Sequence, residues 1–286
     1  MLCVGLATLD VIQSVESPPA SNQKVVALDS VVAAGGPATN AAVAAAHLGA
    51  TVTLVTALAH SPIADIIRSD LAACSVTIHA AHTDAAPVVA SIVVSRGTGD
   101  RAIVSPTSSA SGSTATPLPL ADIDTLLDGV GALQLDGYHP AIALPIAAAA
   151  RERGIPVVVD LGSFKPHGPE ILRACTVAVV SRDFAPPGVE RNPEAVLAYL
   201  SAHGAEGVAV TLGADGVPLP GTSLAVDPIR AVDTCGAGDF FHGALTYRVA
   251  EQGWDSDRFA SDLAFASEVA GRSIQSFGTR RWLGAS

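Results

Sequence analysis

Near its C-terminus the chain reads AVDTCGAGDFFHGAL, residues 231–245. Gly236 and Gly238 flank Ala237, and an aspartate, Asp239, follows at once. Glycines let backbone N–H groups approach a ligand closely. The residues after them read as a helix, whose start adds unpaired N–H donors and about half a positive charge. Together these make an anion hole. A carboxylate at its mouth has two readings. It accepts the proton of a hydroxyl attacking a phosphoryl group held there, or it only caps the helix. The pattern is neither a Walker loop nor the dinucleotide fingerprint: the lysine is missing, and Phe241 stands where a third glycine would be.

A second set lies in AAGGPATNAAVAAAHLGA, residues 33–50. Paired glycines, Gly35 and Gly36, precede an alanine-rich helix with Asn40 one turn inside. Asn40 offers both donor and acceptor to a hydroxyl; the alternative is a tight turn against a small-residue helix. Asp10, read as the end of the first strand in GLATLD, either accepts from two hydroxyls or is a surface acid. In TLGADG (211–216), Thr211, Gly213 and Gly216 form a turn, either against a ligand or as an ordinary β-turn. DGYH (136–139), at another strand end, adds Asp136 and His139. Lys165 and Arg182 are either phosphate contacts or solvated cations.

These residues need a scaffold. Strands read at 2–7, 51–57, 76–81, 132–137, 155–160, 176–181 and 207–213, with helices at 38–48, 62–73, 141–153, 169–174, 193–203, 239–252 and 257–273. Runs such as PVVVD and TVAVV are continuously apolar, the mark of strands buried on both faces. Strand–helix alternation with short links implies a parallel sheet with helices on both sides. Ligands in such folds bind beyond the carboxyl ends of the strands. With strands expected near 222–232, DTCGAG becomes a strand-to-helix loop at that edge. A broken β segment at 24–36 and a hairpin at 87–105, turning at Arg96–Asp100, do not fit the alternation and suggest a small projecting sheet. The Ser/Thr/Pro/Gly-rich stretch 106–120 suggests a mobile loop.

Composition narrows the function. The 286 residues suit one large domain, and 49% hydrophobic residues can bury its core. Only 4% are aromatic, so Ala, Val and Leu must do the packing. The net charge of −11, with no basic run, argues against nucleic acid. Cys3, Cys74, Cys175 and Cys235 are scattered, which suggests neither a disulfide framework nor a zinc site, but thiols in a reducing cytoplasm. The N-terminus reads as a strand rather than an export signal. The uncharged run 33–59 is broken by Asn40, His47 and Gly49, so no membrane span is expected.

VDTCGAGDFFHGAL resembles the second signature of the ribokinase-like, or phosphofructokinase-B, sugar kinases, essentially DTxGAGD-F-x-x-G. GGPATNAA resembles their first signature, GGxxxN-x-A. The resemblance runs from Leu2 to about Gly278 with the motifs in matching order. It implies a single domain over 1–286, a three-layer αβα sandwich with a mainly parallel sheet and a small β lid, from segments at about 11–34 and 86–105. It implies transfer of the ATP γ-phosphoryl group to a sugar hydroxyl, with Mg²⁺, Asp239 as base, and the N–H groups of Gly236, Ala237 and Gly238 on the phosphoryl group. Asp10, Gly35, Gly36 and Asn40 would hold the sugar, with Asp136 and His139 as further candidates. Thr211, Gly213 and Gly216 would line the nucleotide, Ser267 its adenine, and Asp233 a neighbouring monovalent cation (K⁺), whose presence the sequence leaves open.

The GGP form, with the start CVGLATLDVI, is more like the ketohexokinase and sulfofructose kinase branch, which points to a ketose such as fructose or a derivative. VSRDF (180–184) departs from the family: many members have N-x-x-E, whereas this chain has Ser181 and no Glu at 184. The metal ligands stay open. The lid implies a homodimer. A nucleoside kinase of the same fold and a non-catalytic sugar-binding member remain as alternatives; the missing GxGxxG argues against a nicotinamide dehydrogenase.

Overall fold

The computed structural model describes residues 1–106 and 115–284. Residues 107–114 of the expected mobile loop lie outside the described residues. In chain order come β1 (Leu2–Val4), β2 (Thr8–Val15), β3 (Asp29–Gly35), α1 (Pro37–His47), β4 (Val52–Ala57), α2 (Pro62–Ala73) and β5 (Val76–Ala81). A hairpin of β6 (Val88–Ser95) and β7 (Arg101–Val104) follows. Next are α3 (Leu120–Leu127), β8 (Leu133–Leu135), α4 (Pro140–Glu152), β9 (Val157–Leu161), α5 (Gly168–Ala174), β10 (Val177–Ser181), α6 (Pro193–Ala202) and β11 (Gly207–Thr211). A short hairpin, β12 (Val217–Leu219) and β13 (Thr222–Leu224), precedes α7 (Ala237–Gln252) and α8 (Phe259–Ser273).

Seven strands form one sheet in the order β11-β10-β9-β8-β1-β4-β5, every pairing parallel. The apolar runs explain this: all five residues of β9 are buried. Side chains alternate between two cores. Val157, Val159, Ala178 and Val180 face α3 to α6 through Ile123, Ile142, Ile171 and Leu200. Val158, Val177 and Val179 face Phe240, Leu245 and Leu263 of α7 and α8. On this second side α1 and α2 cover β1 and β4. Ser61 and Asn192 cap α2 and α6, accepting from Ala64 N at 3.1 Å and Ala195 N at 2.8 Å.

Small residues let α1 and α7 approach closely. A Cβ on Gly243 would lie 2.3 Å from the Ala41 carbonyl oxygen. The alanine-rich run of α1 thus brings one end of the chain against the other.

A four-stranded sheet, β3-β2-β6-β7, stands apart. Here the structure corrects the sequence reading. The first strand ends at Val4, and Asp10 belongs to β2, central in the small sheet, not to the end of a main-sheet strand. Gly5 sits at the departure point, where a Cβ would collide with Asp136. The β segment expected from residue 24 begins only at Asp29. The expected strand at 228–232 is absent. Val232 and Asp233 instead donate their N–H groups to Ile274 O at 2.7 and 3.2 Å, so the anion loop hangs from the end of α8. Helix α3 and strand β12 were not read from the sequence. Among the described residues no helix is long and apolar enough to cross a membrane, and the four cysteines are free thiols.

Candidate active site

Helix α7 starts at the anion loop. Gly236 is its N-cap with φ 76, a left-handed conformation that favours glycine. No side chain caps this end, and Ala237 N makes only a long 3.4 Å bond to Thr234 O, so the helix start can turn N–H groups toward an incoming anion. A Cβ on Gly238 would meet nothing within 4 Å, so there is open space above the turn.

Asp239 lies in the first turn of α7, partly buried. Its Oδ2 accepts from Asn40 Nδ2 at 2.8 Å. Burial pushes its carboxyl up to about 7, and the nearby Asp160 carboxylate adds to this. The Asn40 bond, His242 and Arg101 oppose the rise. Asp160, in β9, lies 3.3 Å from His242 Nδ1. The same nitrogen is 2.7 Å from Gly238 O, and His242 Nε2 is 3.0 Å from Val179 O. His242 therefore ties the anion loop to the main sheet.

The sugar signature meets this loop. Asp10 is buried and its Oδ1 accepts from Thr8 Oγ1 at 2.6 Å. Burial pushes its carboxyl up, against the Thr8 bond and Arg280. A Cβ on Gly35 would sit 1.9 Å from Asp10 Oδ2, so only glycine leaves room for this carboxylate. Gly36, at φ 99, passes over Leu6 O and starts α1. Asn40 is bridged on its other side by Arg280, whose Nη1 donates to Asn40 Oδ1 at 3.3 Å.

Asp136 is held by backbone donors. Its Oδ2 accepts from Leu6 N at 2.8 Å and Ala38 N at 3.0 Å, and its Oδ1 from Tyr138 N at 2.9 Å. Three backbone N–H groups make it a strut joining the turns after β1 and β8 to α1. His139 is buried at the start of α4 with φ 51, and neither ring nitrogen has a partner. Burial holds its pKa down, against the pull of Asp136. Lys165 is also buried, with its Nζ 3.4 Å from Asp136 O and 4.4 Å from the Tyr138 ring centroid. Burial lowers its pKa, opposed by Asp136 and Asp160.

The remaining candidates make contacts of their own. Thr211 ends β11 and donates to Val180 O at 3.4 Å. Gly213 begins a 3₁₀ turn at φ 64, and a Cβ on Gly216 would lie 2.6 Å from Leu224 O, which requires glycine for packing against β13. Arg182 folds over this turn, pairing with Asp215 at 2.8 Å. Ser267 Oγ donates to Leu263 O at 2.9 Å, within its own helix. Asp233 is buried and accepts from Cys235 N and Gly278 N, both at 2.8 Å, so it fastens the anion loop to the C-terminal segment.

The β6–β7 turn reaches the anion loop as well. Arg101 Nη1 donates to Thr234 Oγ1 at 2.9 Å and to Thr234 O at 3.1 Å, while Thr234 Oγ1 donates to Gly99 O at 3.0 Å. Arg101, Asp160, His242 and Arg280 are site residues that the sequence reading missed. Asp160 carried a signal, since it ends an apolar strand run in the manner attributed to Asp10. Arg280, in a tail that matched no motif, carried none. A cleft of about 470 Å³ lies at the opposite edge of the sheet, beside Pro156, Cys175 and Trp254, away from all these groups.

Comparison with known proteins agrees with this fold. The ribokinase of Bacillus subtilis (strain 168) is 25% identical over 292 residues, covering 98% of this chain and 94% of that protein. A putative ribokinase from Agrobacterium tumefaciens superposes with a TM-score of 0.82 at 24% identity, over 99% of this chain and 93% of that one. A fructokinase with bound ATP from Xylella fastidiosa gives a TM-score of 0.71 at 19% identity, over 98% and 93%. The model of the pfkB family carbohydrate kinases matches residues 1–283. With this match spanning nearly all of the sequence, the chain belongs to the pfkB family and is an ATP-dependent carbohydrate kinase.

Proposed function

We propose that this kinase phosphorylates a hydroxyl of a small ketose, such as fructose or a derivative. Asp239 takes the proton of the attacking hydroxyl as its oxygen bonds to the γ-phosphorus and the bond to ADP breaks. The N–H groups of Gly236, Ala237 and Gly238 hold the migrating phosphoryl oxygens. Asp10, Gly35, Gly36 and Asn40 orient the sugar. Thr211, Gly213 and Gly216 flank the nucleotide, with Ser267 near its base. The observation that carries this reading is the 2.8 Å bond between Asn40 and Asp239, which joins the sugar signature to the anion loop. The ketose preference rests on the GGP form of the first signature.

Among the described residues no three His, Cys, Asp or Glu side chains gather to hold a metal. A Mg²⁺ ion here would arrive with ATP, held by phosphate oxygens and water, and would neutralise phosphate charge. Free thiols fit a reducing compartment, the cytoplasm.

The small sheet is the lid and the dimer contact. Val11 pairs with Val32 and Ser91, and Ser91 with Val104, so these residues share its outer face. Val32 and Val104 are 52% and 75% exposed there. Light scattering should give a dimer for the wild type and a monomer for Val104→Asp; a monomeric wild type contradicts the lid interface.

Substrate assignment is tested by ATP consumption with Mg²⁺ against fructose, ribose, their phosphates and nucleosides. Preference for a ketose supports the reading. Preference for ribose or a nucleoside overturns the ketose assignment and leaves the kinase.

A further inference from the structure

Arg280 follows the anchored Gly278 in the C-terminal segment, and its side chain is 14% exposed. A guanidinium has five N–H donors and no acceptor. Here all five are engaged. Nε donates to Asp70 Oδ2 at 3.1 Å; Nη2 donates to Asp70 Oδ2 at 2.9 Å and to Ala34 O at 2.6 Å. Nη1 donates to Thr279 O at 3.1 Å and to Asn40 Oδ1 at 3.3 Å. A saturated guanidinium has nothing left for a substrate. Its effect on the reaction must pass through what it holds.

What it holds is the Asn40 amide. Because arginine cannot accept, the amide atom facing Arg280 must be the oxygen. The Nδ2 group then points the other way, at Asp239 Oδ2. We infer that Arg280 is a positioning residue for phosphoryl transfer: it fixes the orientation of Asn40 that donates to Asp239. The inference rests on Asp239 acting as the base. Without the tether the amide is free to turn over and present its oxygen to the carboxylate. The donor that favours the ionised base is then lost.

Other charges also face these groups. Asp160 from β9, His242 from α7 and Arg101 from β7 act on Asp239. Asp70 and Cys74 at α2, and Asp10 from β2, lie against Arg280. Arg280→Lys leaves all of these in place and keeps a cation beside Asp70, but one ammonium cannot serve Asp70, Ala34 O and Asn40 together. It is therefore the primary variant, with Arg280→Met as a second.

The test uses ¹⁵N spectra of the intact protein, which need no acceptor. The Asn40 side-chain amide pair is assigned by its loss in Asn40→Ala and titrated from pH 5 to 9. In the wild type it should titrate near pH 7, and in Asp239→Asn the titration should vanish. Arg280→Lys should move the midpoint upward by about one pH unit, as expected for losing a donor to a carboxylate. With fructose or ribose as acceptor, kcat should fall by about tenfold with KM for ATP changed by less than about twofold. In the Asn40→Ala background the same substitution should lower kcat by no more than about twofold. An unmoved midpoint in both Arg280 variants, or kcat losses that multiply with Asn40→Ala, overturns the inference. Full turnover in Asp239→Asn instead overturns the base assignment, while the titration still reports on the tether.

Discussion

Asn40 Nδ2 donates to Asp239 Oδ2 at 2.8 Å, across 199 positions of sequence. Two helices from opposite ends of the chain must lie almost in contact for this bond to form. Gly243 makes room for Ala41 at that crossing, with 2.3 Å between its virtual Cβ and the Ala41 oxygen. Gly243→Ala should therefore force α1 and α7 apart. The expected loss is about 1–3 kcal/mol of stability, read by urea unfolding, together with reduced kcat. Wild-type stability and turnover in this variant would mean the crossing has slack.

Asp239 can accept a proton only when ionised. Burial and Asp160 push it up to about 7. The kcat/KM profile should therefore fall with decreasing pH below about 7, by about tenfold per pH unit. The Asn40 bond favours the ionised form, so Asn40→Ala should move this limb upward. A limb that stays in place would assign it to another group, such as the nucleotide.

The same shift has a stability consequence. The unfolded carboxyl ionises near its ordinary value of 3.8, the folded one near 7. Between these values the folded state binds more protons, so this group's contribution falls as pH rises and levels off above about 7. Asp239→Asn removes the loss. Its melting temperature relative to wild type should climb from pH 4 to 7 and then hold constant. A difference independent of pH would contradict the buried, raised carboxyl.

Asp136 accepts three backbone N–H bonds, from Leu6, Ala38 and Tyr138. Asp136→Ala should cost roughly 2–4 kcal/mol, because two buried donors and one partly buried donor lose their partner at once. Urea unfolding checks it. A variant of normal stability with a raised sugar KM would return Asp136 to the substrate site.

Much of this was legible in sequence because it depends on local rules. Apolar runs such as VVVD marked strands buried on both faces, and glycines before a helix marked the anion loop. What failed depended on distant partners. Residues 228–232 look like a strand, but their N–H groups find Ile274 O instead of a neighbouring strand. Asp10 seemed to end the first strand because nothing local reveals that the chain leaves the main sheet after Val4. The strut made by Asp136 was hidden because two of its three donors, Leu6 N and Ala38 N, come from distant segments. Arg280 was invisible because, apart from the adjacent Thr279 O, its acceptors, Asp70, Ala34 and Asn40, lie at least 210 positions away.

The central claim is that Asp239 is the base of a sugar kinase. The most direct measurement is ATP consumption with Mg²⁺ across free sugars, sugar phosphates and nucleosides, for wild type beside Asp239→Asn. The account predicts turnover with a small sugar, lowered by roughly 10²–10⁴-fold in the variant while sugar and ATP still bind. Full turnover in Asp239→Asn would contradict it.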